Sequence, residues 1–169
     1  MLAKELVADS AIHLLYNSIN QTEKTAMTKA ELLDRRYLRM AQIWAENSYC
    51  TRRQVGALIV KDKMIISDGY NGTPSGFPNV CEGENGLTLP YVLHAEANAI
   101  TKIARSNNNS DGATLYVTDA PCIECAKLII QAGIKRVVYA RSYRLTDGIE
   151  LLEQAGISVE HINDCSTKE

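Results

Sequence analysis

The chain has 169 residues, 46% of them hydrophobic and 22% charged, with a formal net charge of −2. That length and balance suit a soluble globular domain with a buried core of its own. The slight negative charge lacks the basic signature of a polynucleotide binder and favours a small anionic ligand over tRNA or DNA. No stretch approaches the roughly 18 apolar residues of a membrane span, and the opening MLAKELVADSAIHLLYNSINQ has neither the apolar core nor the cleavage site of a secretory signal. A cytoplasmic location with no membrane partner is therefore expected.

Within residues 1–27, Leu2, Leu6, Val7, Leu14 and Leu15 begin a helical pattern that Asn17, Ser18 and the polar 20–25 stretch interrupt. These residues are read as an N-terminal extension to a domain over 28–169. Thr28 with Glu31 forms a capping box, and Leu33, Tyr37, Met40, Ala41 and Trp44 recur at helical spacing, predicting a helix over 29–46. Strand-like runs at 55–60 and 64–67 flank the polar Lys61, Asp62 and Lys63 and predict a hairpin. A loop over 69–90 follows, long enough to suggest a functional one. Next come a helix over 94–105, a loop over 107–112, a strand over 114–117 and a helix over 122–132 closed by Gly133. A strand over 136–139, a helix over 147–155 stopped by Gly156 and a strand over 158–162 complete the chain. Strands and helices that alternate through short links imply parallel pairing and right-handed crossovers. The class is α/β, with a mixed five-stranded sheet and helices on both faces.

Two short segments carry the chemistry: His94-Ala-Glu96, opening one helix, and Pro121-Cys122-Ile-Glu-Cys125, opening the next. Cys122 and Cys125 are three apart, so both sulfurs fall on one helix face, and Pro121 suits the first turn. The partial positive charge of a helix N-terminus favours thiolates. If both helices follow strands of one parallel layer, their tips open at the same sheet edge, where ligand sites of α/β sheets lie. One imidazole and two thiolates suit zinc, and three protein ligands leave a position for water, as in catalytic zinc sites. Glu96 then lies beside that position as a proton carrier, taking a proton from water and handing it to a ring nitrogen and a departing amine. H-x-E followed by P-C-x-x-C is the signature of zinc deaminases, so this assignment is a match to a known pattern. A fourth ligand from Cys50, Cys81, Cys165 or His161 would instead close a structural site. Cys50, Cys81 and Cys165 are otherwise expected as bystander thiols, and His13 and His161 as ordinary surface or core residues.

From about Asp34 to Ile162 the chain resembles the deoxycytidylate deaminase branch of the cytidine deaminase superfamily. Beyond the metal motif, the resemblance rests on the runs 50–57, CTRRQVGA, and 69–76, GYNGTPSG, and on 93–100, LHAEANAI. It continues through CAKLIIQAG at 125–133 and Tyr143 leading to Asp147 and Gly148. It implies a three-layer α-β-α cytidine-deaminase-like fold and hydrolysis of dCMP to dUMP and ammonia, supplying dUMP for thymidylate synthesis. It also implies a homo-oligomer, commonly a hexamer, with activation by dCTP, inhibition by dTTP and Mg2+ accompanying the effector. The ligands are then Zn2+ on His94, Cys122 and Cys125, with Glu96 catalytic. Arg53, Asn71, Tyr143 and Arg144 are candidates to bind the substrate. Arg52 and Arg53 precede the first strand, where either could meet a phosphate. Asn71 sits between glycines, where an amide could read a sugar or phosphate, or could simply make a turn. Rival readings are a tRNA adenosine deaminase, a free nucleoside deaminase that needs no arginines, a non-catalytic zinc staple, and a competence-type protein keeping this fold for a cellular partner.

Overall fold

The computed structural model describes residues 27–142 and 144–163. The expected extension therefore lies outside the described residues, apart from Met27. By compactness the chain divides into two units, 1–33 and 34–169. In the first, Thr28 N donates to Glu31 Oε2 at 2.7 Å and Glu31 N donates to Thr28 Oγ1 at 3.2 Å, the reciprocal pair of the predicted capping box. Helix α1, Lys29–Ala45, starts there and continues into the second unit.

The second unit is built on strands β1 (Gly56–Lys61), β2 (Met64–Tyr70), β3 (Thr114–Asp119), β4 (Arg136–Arg141) and β5 (Ser158–His161). They lie in the order β2-β1-β3-β4-β5. The β1–β2 hairpin turns on Asp62 and Lys63, both with positive φ (50° and 64°), the left-handed pair whose twist suits a two-residue hairpin loop. β1 is antiparallel to both neighbours, while β3, β4 and β5 run parallel, joined by helices α3 (Ile123–Gln131) and α4 (Asp147–Gln154). Helix α2, Ala95–Ile103, follows β2 across the long loop. The mixed five-stranded α/β sheet is thus as expected.

Alternating side chains divide the sheet's burial between its faces. Ala57, Ile59, Leu115, Val117 and Val137 join Ala95, Ala99 and Ile103 of α2, Ala126 and Ile129 of α3, and Leu152 of α4 in one apolar core. The opposite face is covered by α1. A Cβ on Gly56 would stand 2.0 Å from Ala41 O, and the rings of Tyr37 and Tyr116 pack with centroids 4.9 Å apart. Beneath α1 lies a buried polar network. Tyr116 Oη donates to Asp34 Oδ1 at 2.6 Å, and Arg136 Nη1 and Nη2 fork onto the two Asp34 oxygens at 2.9 and 2.8 Å. Arg136 also grips Glu160 through Nε and Nη2, each at 2.7 Å, so one arginine is shared by two carboxylates.

Candidate active site

The two helix tips meet for a topological reason that differs slightly from the expected one. α2 and α3 do not follow adjacent parallel strands: antiparallel β1 lies between β2 and β3. Because both β2 and β3 oppose β1, they run the same way, and the helices after them start at the same sheet edge. Glycines permit the close packing this requires. A Cβ on Gly69 of β2 would fall 2.2 Å from Ala95 O, and one on Gly148 of α4 would fall 2.2 Å from Pro121 O and 2.7 Å from the Cys122 carbonyl carbon. β2 thereby lies against the first turn of α2, and α4 against the backbone that carries Cys122.

His94 and Cys122 are the N-cap residues of α2 and α3, both with extended backbone (φ −73°, ψ 157° and φ −76°, ψ 170°), and neither side chain makes a capping hydrogen bond. Pro121 therefore stands just before the cap and not, as expected, in the first turn. Cys125, in that turn, is buried. His94 Nδ1 lies 3.4 Å from each of the Cys122 and Cys125 sulfurs, and the three ligand atoms all lie within 4.8 Å of one another. Tetrahedral zinc with ordinary Zn–N and Zn–S bonds would separate nitrogen from sulfur by about 3.6 Å. The set thus fits zinc in donor chemistry and in spacing. Among the described residues it is the one group of three or more such side chains close enough to share an ion.

Glu96 is 4% exposed, and burial pushes its carboxyl up to about 7, against the opposing pull of the nearby His94 charge. Such a carboxyl can hold and release a proton near neutrality. The Cys122 thiol is pulled down to about 3, first by the hydrogen bond from Cys125 and then by that from His94. Cys125 is pushed the other way, first by the same Cys122 bond and then by burial. The His94 imidazole is raised, chiefly by its bond to Cys122.

The family described as the cytidine and deoxycytidylate deaminase zinc-binding region matches residues 32–141, which span all of these groups. The chain belongs to that family. The deaminase is 43% identical over 131 residues to ComE operon protein 2 of Bacillus subtilis, covering 75% of this chain and 69% of that protein. It is 39% identical over 122 residues to the deoxycytidylate deaminase of Mycobacterium phage D29, covering 64% of this chain and 94% of the phage protein. Among solved structures, the dCMP deaminase of cyanophage S-TIM5, in complex with dCMP and dUMP, superposes with a TM-score of 0.76 at 46% identity. That match covers 81% of this chain and the whole of that one.

The remaining candidates fall out differently. Arg53 lies at the sheet edge, its Nε 2.7 Å from Asp119 Oδ2. The Asn71 amide is engaged with this deaminase's own backbone: Oδ1 accepts from Val55 N at 2.8 Å and Nδ2 donates to Arg53 O at 2.8 Å. Its place in the structure is to fasten the segment leading into β1, beside the arginine. Arg144 is exposed, and Tyr143 lies outside the described residues. The expectation of separate thiols is overturned for two cysteines, since Cys50 and Cys81 form a disulfide. The long loop carries Cys81 back to the 50–53 segment, where the Glu82 carboxylate also accepts from Thr51 and Arg52 N–H groups. Neither sulfur is then a spare metal ligand. His161 fills the ordinary role expected, stacking on Tyr139 with centroids 4.8 Å apart.

Three features escaped the sequence reading. Asp119 and Arg141 end neighbouring strands in direct register. Thr73 Oγ1 is shielded from solvent without a hydrogen-bond partner, one residue from Gly72, which pairs with Leu93 just before His94. A cavity of about 900 Å³ at the end of α1, lined by Arg52, Arg53, Gln54, Thr118 and Arg141, opens at the sheet edge. Only Thr73, within the GYNGTP run, had a local signal.

Proposed function

We propose that the chain deaminates dCMP hydrolytically, consuming one water and releasing dUMP and ammonia. The observation that carries this reading is a buried acid, Glu96, next to a three-ligand set, His94, Cys122 and Cys125, at the mouths of two helices. A metal serving only to staple two helices has no use for a proton carrier poised near neutrality. In this reading His94, Cys122 and Cys125 hold zinc, which supplies Lewis-acid chemistry that lets a water lose its proton near pH 7. Glu96 takes that proton on its carboxylate and delivers it to N3 of the cytosine ring as the water oxygen bonds to C4. It then takes the second proton of that oxygen and gives it to the exocyclic nitrogen, which leaves as ammonia when the C4–N bond breaks. The α2 and α3 N-termini favour the negative charge that develops between them.

Likeness to a protein solved with dCMP and dUMP supports the monophosphate as substrate, and arginines at the same sheet edge supply the cations such a phosphate needs. The product then feeds thymidylate synthesis. Activation by dCTP with Mg2+ and inhibition by dTTP, a cytoplasmic location and a homo-oligomer belong to the same reading. Exposed Met40, Ile43, Trp44 and Tyr49 are apolar surface suited to contact with further copies.

Ammonia release from zinc-loaded protein is the test, with deoxycytidine, dCMP and dCTP compared, and with dCTP and Mg2+ added as effectors. Turnover is expected for dCMP. Glu96→Gln should keep zinc and lose turnover by about 10²–10⁴-fold, whereas Cys122→Ala should lose both. Full activity of Glu96→Gln would overturn the proton carrier. Zinc without turnover of any of the three would return the staple and tRNA readings to the front.

A further inference from the structure

We propose that Asp119 is a positioning residue that fixes Arg53 and Arg141 as a two-arginine cradle for the phosphate monoester of the substrate. The inference rests on the monophosphate reading above and adds the residue that shapes the phosphate end.

Asp119 ends the central strand of three. Arg141 ends β4 directly opposite it in register, and Arg53 precedes β1 on the other side. The Asp119 side chain is 10% exposed and divides its two oxygens between the arginines: Oδ1 meets Arg141 Nε at 2.5 Å and Oδ2 meets Arg53 Nε at 2.7 Å. Arg141 is further fixed through Nη2, which donates to Gln54 O at 3.1 Å. The backbone of Arg53 is fixed by the Asn71 amide. Yet the arginine side chains stay 43% and 48% exposed, and both line the cavity at the sheet edge.

The same molecule supplies the contrast. Arg136 is a structural arginine, 27% exposed and shared by two carboxylates. At the sheet edge the ratio is reversed, with two arginines on one carboxylate. The three arginines lining the cavity face Glu46 as the one acid in its wall, with Asp119 beneath them. In a chain of net charge −2 that is a local surplus of positive charge. Two guanidinium groups repel, and a buried carboxylate between them holds them close at fixed angles before any ligand arrives. A phosphate monoester, with three terminal oxygens, matches such paired planar donors. The location completes the argument, for Asp119 is three residues before Cys122, so one short segment carries both the metal ligand and the brace.

The test compares Asp119→Asn with the wild type. The asparagine keeps the shape but loses the charge and one acceptor. The KM for dCMP should rise about 10- to 100-fold with kcat held within about threefold. Calorimetric affinity for dUMP should fall by the same factor, with no change for deoxyuridine, which lacks the phosphate. Arg141→Gln, whose side chain lies outside the core, should reproduce the effect and add little to Asp119→Asn, and it carries the test if the latter does not fold. Equal losses for dUMP and deoxyuridine, or unchanged dUMP affinity, would overturn the role of Asp119. If wild-type protein bound dUMP no better than deoxyuridine, the monophosphate reading would itself fall, a result distinct from either of those.

Discussion

Replacing Gly148 with alanine sets two opposed effects against each other, and the structure decides between them. Alanine in place of glycine inside a helix ordinarily stabilises by about 1 kcal/mol, and less in a first turn, where Gly148 sits. Against that gain, the new methyl would stand 2.2 Å from Pro121 O and 2.7 Å from the Cys122 carbonyl carbon. Ordinary contact at about 3.3 Å then requires α4 and the Pro121–Cys122 backbone to part by about 1 Å, and no side-chain rotation can relieve a clash with backbone. Overpacking of this kind costs about 1–3 kcal/mol, so a net loss of roughly 1–2 kcal/mol is expected. For a chain of this length that is a drop of about 2–8 °C in Tm. The larger effect falls on chemistry, because the displaced residue is a proposed zinc ligand. A shift near 1 Å at a reacting centre costs about 100-fold in rate. Thermal unfolding, zinc content after dialysis against a weak chelator, and kcat on dCMP measure the three effects together. A Gly148→Ala protein with wild-type zinc retention and kcat would refute the reasoning, since it would mean that α4 does not govern where Cys122 stands.

Two further outcomes follow from features remote from the metal. Burial pushes the Asp34 carboxyl up, but hydrogen bonds from Arg136 and Tyr116 and the Arg136 charge outweigh it and hold the group below its ordinary value. Its stabilising contribution is therefore complete above the unfolded carboxylate range and is lost as pH falls below about 4. Asp34→Asn should lower stability by about 2–3 kcal/mol at pH 7, less than the about 3–5 kcal/mol of a fully broken buried pair because Glu160 still engages Arg136. The difference from wild type should shrink on acidification; a gap that stays constant down to pH 2 would exclude the ion pair as its source. Joining Cys50 to Cys81 closes a loop over a separation of 31 residues, for which chain entropy gives about 3–4 kcal/mol. Reduced wild type and the Cys50→Ser/Cys81→Ser double variant should unfold at the same lowered denaturant midpoint, and oxidised protein with no advantage over either would disprove the link.

What was legible in the sequence was local. The capping box, the hairpin and the alternation of strands and helices could each be recognised within a few residues, and so could His94-x-Glu96 and Pro121-Cys122-x-x-Cys125. The strand ends were less so. β2, β3 and β4 run two or three residues beyond the apolar stretches that announced them, because Asp68, Gly69, Thr118, Asp119 and Arg141 interrupt the pattern while still pairing. Features that depend on distant partners left no trace. Cys50 and Cys81 read as thiols because nothing nearby reveals that the long loop returns. Asn71 was read as either a ligand contact or a turn residue, and its neighbours in sequence give no sign of its amide bonds to Val55 and Arg53. Gly148 was noticed as part of a resemblance, whereas its physical reason is another segment's carbonyl, visible only when the two are brought together.

The division of the proposed ligands between two helix tips bears on how the apo chain meets its metal. Unfolded polypeptide keeps Cys122 and Cys125 as neighbours, but His94 is 28 residues from the nearer of them. It reaches them only after β2 and β3 have docked on either side of β1. Unfolded chain thus offers a two-thiol half-site, and the imidazole is added by completed tertiary structure. Only the difference in affinity between half-site and full site counts toward folding. Zinc would act as a counter-signature on the assembled sheet, and chains arrested before β1 is flanked on both sides would hold the ion loosely enough to give it up to a competing thiol.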